Sequence, residues 1–176
     1  MRKVVLYIAM SLDGYIADEK GKVDWLTGEN DQSEEKGTYF DFEKTIDTVI
    51  LGYNTYAQVV NELSVGKWPY PTMKGYVLTN KDIEGNEQVK FIKKSAKDLI
   101  EIIKIQKGKD IWICGGANIV NQFIKEDLID EYRISIIPII LGNGIRLFGE
   151  DNNEIKLKLM NKEFFNGMTE LTYIRR

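Results

Sequence analysis

Residues 111–120 read Ile-Trp-Ile-Cys-Gly-Gly-Ala-Asn-Ile-Val. The apolar run over residues 111–114 is typical of a buried strand, and the pair Gly115-Gly116 ends it. A helix is predicted to follow and to run to about Lys125. The free amides and positive dipole end of such a helix start favour a bound phosphate. A glycine pair after a strand is also the ordinary sign of a tight turn, so this stretch alone leaves both interpretations open.

Two earlier segments end in a similar way. A predicted strand over residues 4–9 leads into Ser11-Leu12-Asp13-Gly14, and another over residues 48–51 leads into Gly52-Tyr53-Asn54-Thr55. Because ligands of open α/β sheets bind at the carboxyl ends of strands, these ends together predict one site. Thr55 and Gln58 have the spacing of a capping box, which predicts a helix start there. A plain N-cap role would also account for Thr55.

The rest of the chain extends this alternation of strands and helices. Strands are predicted over residues 75–78, 90–92 and 131–137, and helices over residues 34–44 and after Ser95, which has the spacing to cap Asp98. Asn166-Gly167 predicts a hairpin turn between two alternating segments near the end of the chain. We therefore expect an α/β fold with a mostly parallel sheet and a C-terminal antiparallel hairpin. With 176 residues, the chain fits a single domain over residues 1–176.

The composition excludes several classes of function. The chain has no histidine, which excludes Ser-His-Asp and Cys-His catalysis and any zinc site that needs imidazole. Its one cysteine, Cys114, allows no internal disulfide and fits a reducing cytoplasm. The net charge of −3 argues against nucleic acid or an anionic membrane as partner. We expect no metal site and no membrane-spanning segment, and a small molecule as the partner.

Five blocks follow one another along nearly the whole chain, although the dinucleotide fingerprint G-x-G-x-x-G is absent. They read AMSLDGYIA at residues 9–17, LGYNTY at 51–56, ICGGAN at 113–118, LIDEYRI at 128–134 and PIILGNG at 138–144. In this order they resemble the dihydrofolate reductase superfamily, most closely the reductase domain of bifunctional riboflavin-biosynthesis deaminase-reductases. The resemblance implies a dihydrofolate reductase-like fold of three layers, with helices on both faces of the sheet.

The resemblance also implies a nicotinamide dinucleotide site. Ala9 and Ile16 would flank the nicotinamide, and Thr79 and Asn80 would face the adenosine ribose and its 2′-phosphate. The pyrophosphate would lie between two helix starts, formed by Gly52, Tyr53, Asn54 and Thr55 and by Gly115, Gly116, Ala117, Asn118, Ile119 and Val120. Gly115-Gly116 would be the cis peptide of the family. The family usually has Arg or Lys after the first glycine, whereas Tyr53 and Asn54 follow here, so NADPH is expected and NADH remains an alternative; Lys81 could compensate.

The substrate side is less well marked. True dihydrofolate reductases carry a helix carboxylate that binds the pterin, but counting back from Gly52 gives Lys36 at that position. The adjacent Glu35 is the acidic candidate for a substrate contact, although on a helix an offset of one residue turns a side chain ~100° away. Trp25 could be a lid anchor or a substrate contact, and Asp13 could fix its loop or touch the ligand. Tyr39 and Cys114 are candidates for the substrate pocket, although a core role is the commoner one for each. No catalytic residue is assigned.

These observations predict a cytoplasmic NADPH-dependent reductase of a pterin- or pyrimidine-like ring. Hydride would come from the cofactor, which explains how an enzyme could work without histidine. The resemblance connects the chain with riboflavin biosynthesis and suggests a homodimer. The alternative is a nucleotide-binding protein of the same fold without turnover. A pure interaction module would leave the paired phosphate-type turns unexplained.

Overall fold

The computed structural model describes residues 1–30, 33, 35 and 37–176, and within them eight strands form one sheet. Including two short strands that pair separately, the strands are β1 (Val4–Ser11), β2 (Tyr15–Ala17), β3 (Ile46–Gly52), β4 (Lys74–Leu78), β5 (Val89–Ile92), β6 (Asp110–Gly115), β7 (Glu131–Ile137), β8 (Ile145–Arg146), β9 (Leu157–Phe165) and β10 (Met168–Arg175). The order is β5-β4-β3-β6-β1-β7-β10-β9, parallel as far as β7 and antiparallel beyond it. The predicted mostly parallel sheet with a C-terminal hairpin is confirmed.

Helices cover both faces of this sheet. They are α1 (Tyr39–Glu43), α2 (Tyr53–Gln58, continued by a π-helical turn over Val59–Leu63), α3 (Ala96–Lys104) and α4 (Ala117–Lys125). Consecutive residues of the central strand β3 point to opposite faces, so Ile50 packs with α3 and α4 whereas Val49 packs with α1 and α2. Both side chains are fully buried, which stabilises the fold by ~1.5–3 kcal/mol for each. The three-layer arrangement is therefore confirmed.

The start of α3 follows from its sequence. The Ser95 hydroxyl accepts a hydrogen bond from the amide of Asp98 at 3.1 Å, as the spacing of the two residues predicts. Leu99 and Ile103 then lie one turn apart on the buried face. This helix is thus capped by its own side chain.

Two predictions about helix starts were wrong. The helix predicted over residues 34–44 begins only at Tyr39, because residues 33, 35 and 37 are not helical; Glu34 and Lys36 lie outside the described residues. The capping box at Thr55 does not form, since the helix begins at Tyr53 and Gly52 takes the N-cap position. The side chain of Gln58 donates instead to the carbonyl of Gly21 at 2.8 Å. Gln58 therefore bonds to a residue distant in sequence and not to the backbone of Thr55.

Candidate functional site

A cleft of about 1380 Å³ opens at the carboxyl ends of β1, β3, β4 and β6. It is lined by fourteen of the residues singled out from the sequence, which are Ala9, Ile16, Tyr39, Gly52, Tyr53, Asn54, Thr55, Thr79, Asn80, Cys114, Gly116, Ala117, Asn118 and Ile119. These residues come from five separate segments of the chain. The fold therefore brings most of the predicted site together at the end of the sheet where α/β proteins bind ligands.

The turns after β3 and β6 approach each other closely at one wall of the cleft. A Cβ atom added to Gly52 would lie 2.9 Å from Cγ1 of Ile119, and one added to Gly116 would lie 3.0 Å from Oγ1 of Thr55. The two turns are therefore packed closely enough that a side chain at either glycine would press against a residue of the opposite helix. The peptide Gly115-Gly116 is cis, as the resemblance implies.

The helix starts at these two turns have no side-chain cap. Gly52 is the N-cap of α2 and Gly116 the N-cap of α4, and neither receives a side-chain hydrogen bond at that position. By contrast, α3, which starts away from the cleft, is capped by Ser95. The first-turn amides of α2 and α4 are thus left without an internal acceptor, and both helix dipoles are positive there. This wall can bind an anion with backbone groups alone.

Positive side chains add to this electrostatic pattern. The ammonium of Lys81 lies 3.7 Å from the centroid of the Tyr53 ring, and the amide of Lys81 donates to Oγ1 of Thr79 at 3.1 Å. Lys94 lines the same end of the cleft. Tyr53 stands where the family usually has a cation, and here its ring holds one through a cation–π contact.

The deeper part of the cleft contains a polar network that sequence reasoning missed. Tyr7 and Ser135 line the cleft from β1 and β7. The carboxylate of Glu170, on β10, accepts hydrogen bonds from Tyr7 at 2.9 Å, Ser135 at 3.1 Å and Thr38 at 2.6 Å. Glu170 is 2% exposed, although it is charged. In the sequence, this network could have been indicated by a charged residue at an inward position of the alternating strand β10.

Aromatic rings enclose this polar network. The ring of Tyr39 stacks on that of Tyr7 with centroids 6.1 Å apart, and Trp112 meets Tyr39 edge-on at 5.9 Å. The hydroxyl of Tyr70 lies 3.9 Å from Sγ of Cys114. Burial raises the pKa of Cys114 to about 11 and that of Tyr39 to about 12, so both groups are neutral near pH ~7. This chamber suits a flat, uncharged ring and provides no thiolate nucleophile.

Three substrate-side candidates lie outside the cleft lining. Asp13 accepts hydrogen bonds from Ser11 Oγ at 2.6 Å and from two backbone amides, those of Leu141 at 3.1 Å and Gly142 at 2.7 Å, so it fixes its loop. The indole of Trp25 donates to the carbonyl of Lys22 at 3.2 Å, and the neighbouring Val23 and Leu26 line the cleft instead.

The third candidate is Glu35, whose carboxylate accepts from the amide of Asn166 at the C-terminal hairpin turn. Of the cofactor-side candidates, Gly115 and Val120 are buried behind the lining residues, and Val120 belongs to the core beneath α4. The structure thus separates residues that form the wall from residues that support it.

Within the described residues, two further properties can be reported. No group of three or more His, Cys, Asp or Glu side chains is placed to hold a metal ion. No helix there is both long and apolar enough to cross a bilayer.

The chain is similar to known proteins over nearly its whole length. The uncharacterised protein YwjB of Bacillus subtilis (strain 168) is 46% identical over 178 residues, covering 99% of this chain and 98% of that protein. A Shewanella sp. PV-4 crystal structure, provisionally assigned to riboflavin biosynthesis, has 32% identity, a TM-score of 0.86 and 99% coverage of both chains.

Dihydrofolate reductase from Enterococcus faecalis, solved with NADP(H), has a TM-score of 0.68 and 20% identity, covering 98% of this chain and 96% of that one. This similarity confirms the dihydrofolate reductase-like fold. The family model described as RibD C-terminal domain matches residues 2–169. Since that match covers almost the entire sequence, the chain belongs to the RibD C-terminal domain family.

Proposed function

We propose that this protein is an NADPH-dependent reductase of a pterin- or pyrimidine-like ring. One observation carries the proposal: two uncapped helix starts meet at Gly52 and Gly116, in the same cleft as an aromatic chamber. A phosphate-binding wall beside a flat apolar chamber suits a dinucleotide and a heterocycle bound next to each other. Membership of the RibD C-terminal domain family supports a reductase among the activities that such a cleft could have.

The residues of the cleft fit a nicotinamide dinucleotide. The first-turn amides of α2 and α4 would hold the pyrophosphate, and Ala9 and Ile16 would lie along the nicotinamide. Thr79, Asn80 and Lys81 would face the adenosine ribose, with Lys81 supplying a charge for a 2′-phosphate. Because that charge is exposed, it favours NADPH over NADH only modestly, and NADH remains an alternative.

The bound cofactor would supply the hydride to the carbon of a C=N or C=O bond of the substrate, and an ordered water would supply the proton to its nitrogen or oxygen. The protein would orient the ring between Tyr39 and the floor of the cleft and would exclude water from it. Cys114 and Tyr39 stay neutral near pH ~7, so they serve as walls of the chamber.

Cofactor binding is tested by thermal unfolding with NADPH and with NADH. At a hundred times the dissociation constant, a ligand should stabilise the fold by ~2.7 kcal/mol. Turnover is tested with a panel of reduced and oxidised pterins and aminopyrimidine nucleotides, followed by the loss of reduced-nicotinamide absorbance. Turnover of any member supports the reductase. Tight cofactor binding without turnover favours the nucleotide-binding alternative, and no thermal shift at millimolar cofactor contradicts both.

A further inference from the structure

The carboxylate of Glu170 accepts hydrogen bonds from three hydroxyl groups. Thr38 donates to Oε1 at 2.6 Å, while Tyr7 and Ser135 donate to Oε2 at 2.9 Å and 3.1 Å. Glu170 is 2% exposed, and in the part of the chain that the structure describes it takes part in no ion pair. Its two oxygens therefore accept their hydrogen bonds from hydroxyl groups.

This arrangement decides whether the floor of the cleft, formed by Tyr7 and Ser135, donates or accepts hydrogen bonds. A hydroxyl group has one proton, and once that proton is given to Glu170 its oxygen can only accept. Tyr7 and Ser135 both line the cleft. Burial raises the pKa of Tyr7 to about 12, so its hydroxyl stays protonated at neutral pH. The oxygen of Thr38 also lies 3.2 Å from this hydroxyl, but at 2.9 Å the carboxylate of Glu170 is the closer acceptor. The two residues therefore present two hydrogen-bond acceptors to a ligand.

The two acceptors lie close to Ala9, the residue beside which the nicotinamide is proposed to bind. Ser135 on β7 lies directly opposite Ala9 on β1 in the parallel register. Tyr7 is two residues before Ala9 on the same face of β1. Under the proposed function, Ala9 lies along the nicotinamide. The acceptor pair thus adjoins the point at which hydride would reach the substrate.

We infer that Glu170 is a positioning residue that makes Tyr7 and Ser135 paired acceptors, and that the substrate ring binds them through neighbouring N–H donors. The inference rests on the proposed function and narrows its substrate class. Rings with an imide N–H or an exocyclic amino group fit, as in aminopyrimidinones and pterins. A quinone, or a ring edge with only carbonyl oxygens, would place acceptors against acceptors and is disfavoured.

Glu170→Gln separates this role from a merely structural one. Gln has nearly the same shape as Glu, but it has one acceptor oxygen and one donor group, so either Thr38 or the pair Tyr7 and Ser135 must turn its protons elsewhere. Ser135→Ala and Tyr7→Phe, which each remove one member of the pair, are therefore measured beside it. The matched control is Glu163→Gln. Glu163 lies opposite Glu170 in the β9–β10 register but is exposed. Both variants remove one negative charge at the same level of the same strand pair.

The probes are 6-aminouracil and its 1,3-dimethyl derivative, which lacks the ring N–H donors. Affinities are measured by calorimetry with NADP⁺ present, so that no turnover occurs. The wild type and Glu163→Gln should bind 6-aminouracil at least about tenfold more tightly than its 1,3-dimethyl derivative, a difference equal to ~1.4 kcal/mol. In Glu170→Gln this preference should fall below about threefold. Ser135→Ala, measured in parallel, should also lose it.

The inference is overturned if folded Ser135→Ala and Tyr7→Phe both keep the full preference, or if the wild type shows none, including the case in which neither ring binds at millimolar concentration. If Glu170→Gln does not fold, the preference in Ser135→Ala and Tyr7→Phe decides. Failure of the proposed function looks different, because reduced cofactor would then neither bind nor be consumed while the preference for N–H donors persisted.

Discussion

Gly116→Ala tests whether the turn after β6 is a cofactor wall or only a tight turn. The backbone of Gly116 has φ −75° and ψ −167°, which alanine adopts freely, whereas Gly115 has the left-handed φ of 126°. The added Cβ would lie 3.0 Å from Oγ1 of Thr55, so that hydroxyl must move by a few tenths of an ångström. Thr55 is only partly buried and can do so. Alanine also lowers the entropy of the unfolded chain, which offsets the strain by ~0.4–1 kcal/mol.

The expected effect is therefore on the ligand rather than on the fold. The unfolding midpoint without ligand should move by no more than about 4 °C. NADPH affinity should fall at least about tenfold, equal to ~1.4 kcal/mol, because under the proposed function the methyl group would take space needed by the pyrophosphate. Both quantities come from melting curves and calorimetric titration of the purified variant.

Gly149→Ala is the matched control. Its Cβ would lie 3.3 Å from Oδ1 of Asn121, a similar contact with a polar side chain, but Gly149 does not line the cleft. It should leave the affinity for NADPH unchanged. A folded Gly116→Ala protein with wild-type affinity would refute the assignment of this wall to the cofactor.

Three further changes have definite expected outcomes. Lys81→Ala should weaken the binding of NADPH about three- to tenfold and leave that of NADH nearly unchanged in calorimetric titrations, since under the proposed function its exposed charge would face the 2′-phosphate; equal losses for both cofactors would contradict this role. The Ser11 hydroxyl, followed by backbone amides, holds the pKa of Asp13 below its usual value, so its contribution to stability is present above the unfolded pKa and is lost as pH falls through the folded one. The gap between the melting midpoints of wild type and Asp13→Asn should accordingly narrow from pH ~7 to pH ~3, and a constant gap would argue against the loop-fixing role. Cys114, with a pKa of about 11, has roughly one thiol in a thousand ionised at pH ~8, so iodoacetamide should modify it at least tenfold more slowly than free cysteine by intact-mass measurement; labelling at the free rate would place the thiol in a different environment.

The strands were predictable because buried parallel strands are continuous apolar runs. The largely apolar runs over residues 48–51 and 111–114 lie within β3 and β6, and the Asn166-Gly167 turn joins β9 to β10. The short strands β2 and β8 were not predicted, since two or three residues carry no measurable periodicity. Their pairing depends on contacts between segments far apart in sequence.

The missed helix starts have a different origin. Thr55 and Gln58 have capping-box spacing, but Gly52 already starts α2, and Gln58 is drawn to the carbonyl of Gly21. A local motif fixes a helix start only where no distant partner competes for the same side chain. The spacing of residues on one segment cannot reveal such a competitor.

The two halves of the cleft differ in what the sequence can show of them. The proposed cofactor wall is made of backbone amides at Gly52 and Gly116, and a glycine at a strand end is visible in the sequence.

The proposed substrate floor is made of Tyr7 and Ser135, with Glu170 behind them, and the meeting of these residues from three strands depends on strand order. It follows that the proposed cofactor wall and the proposed substrate floor should respond separately to substitution. Gly116→Ala should change cofactor affinity and leave the preference for N–H donors, whereas Glu170→Gln should do the reverse. If a variant of the wall or of the floor changed both the cofactor affinity and the preference for N–H donors, the cleft would form one binding surface and not two adjoining ones.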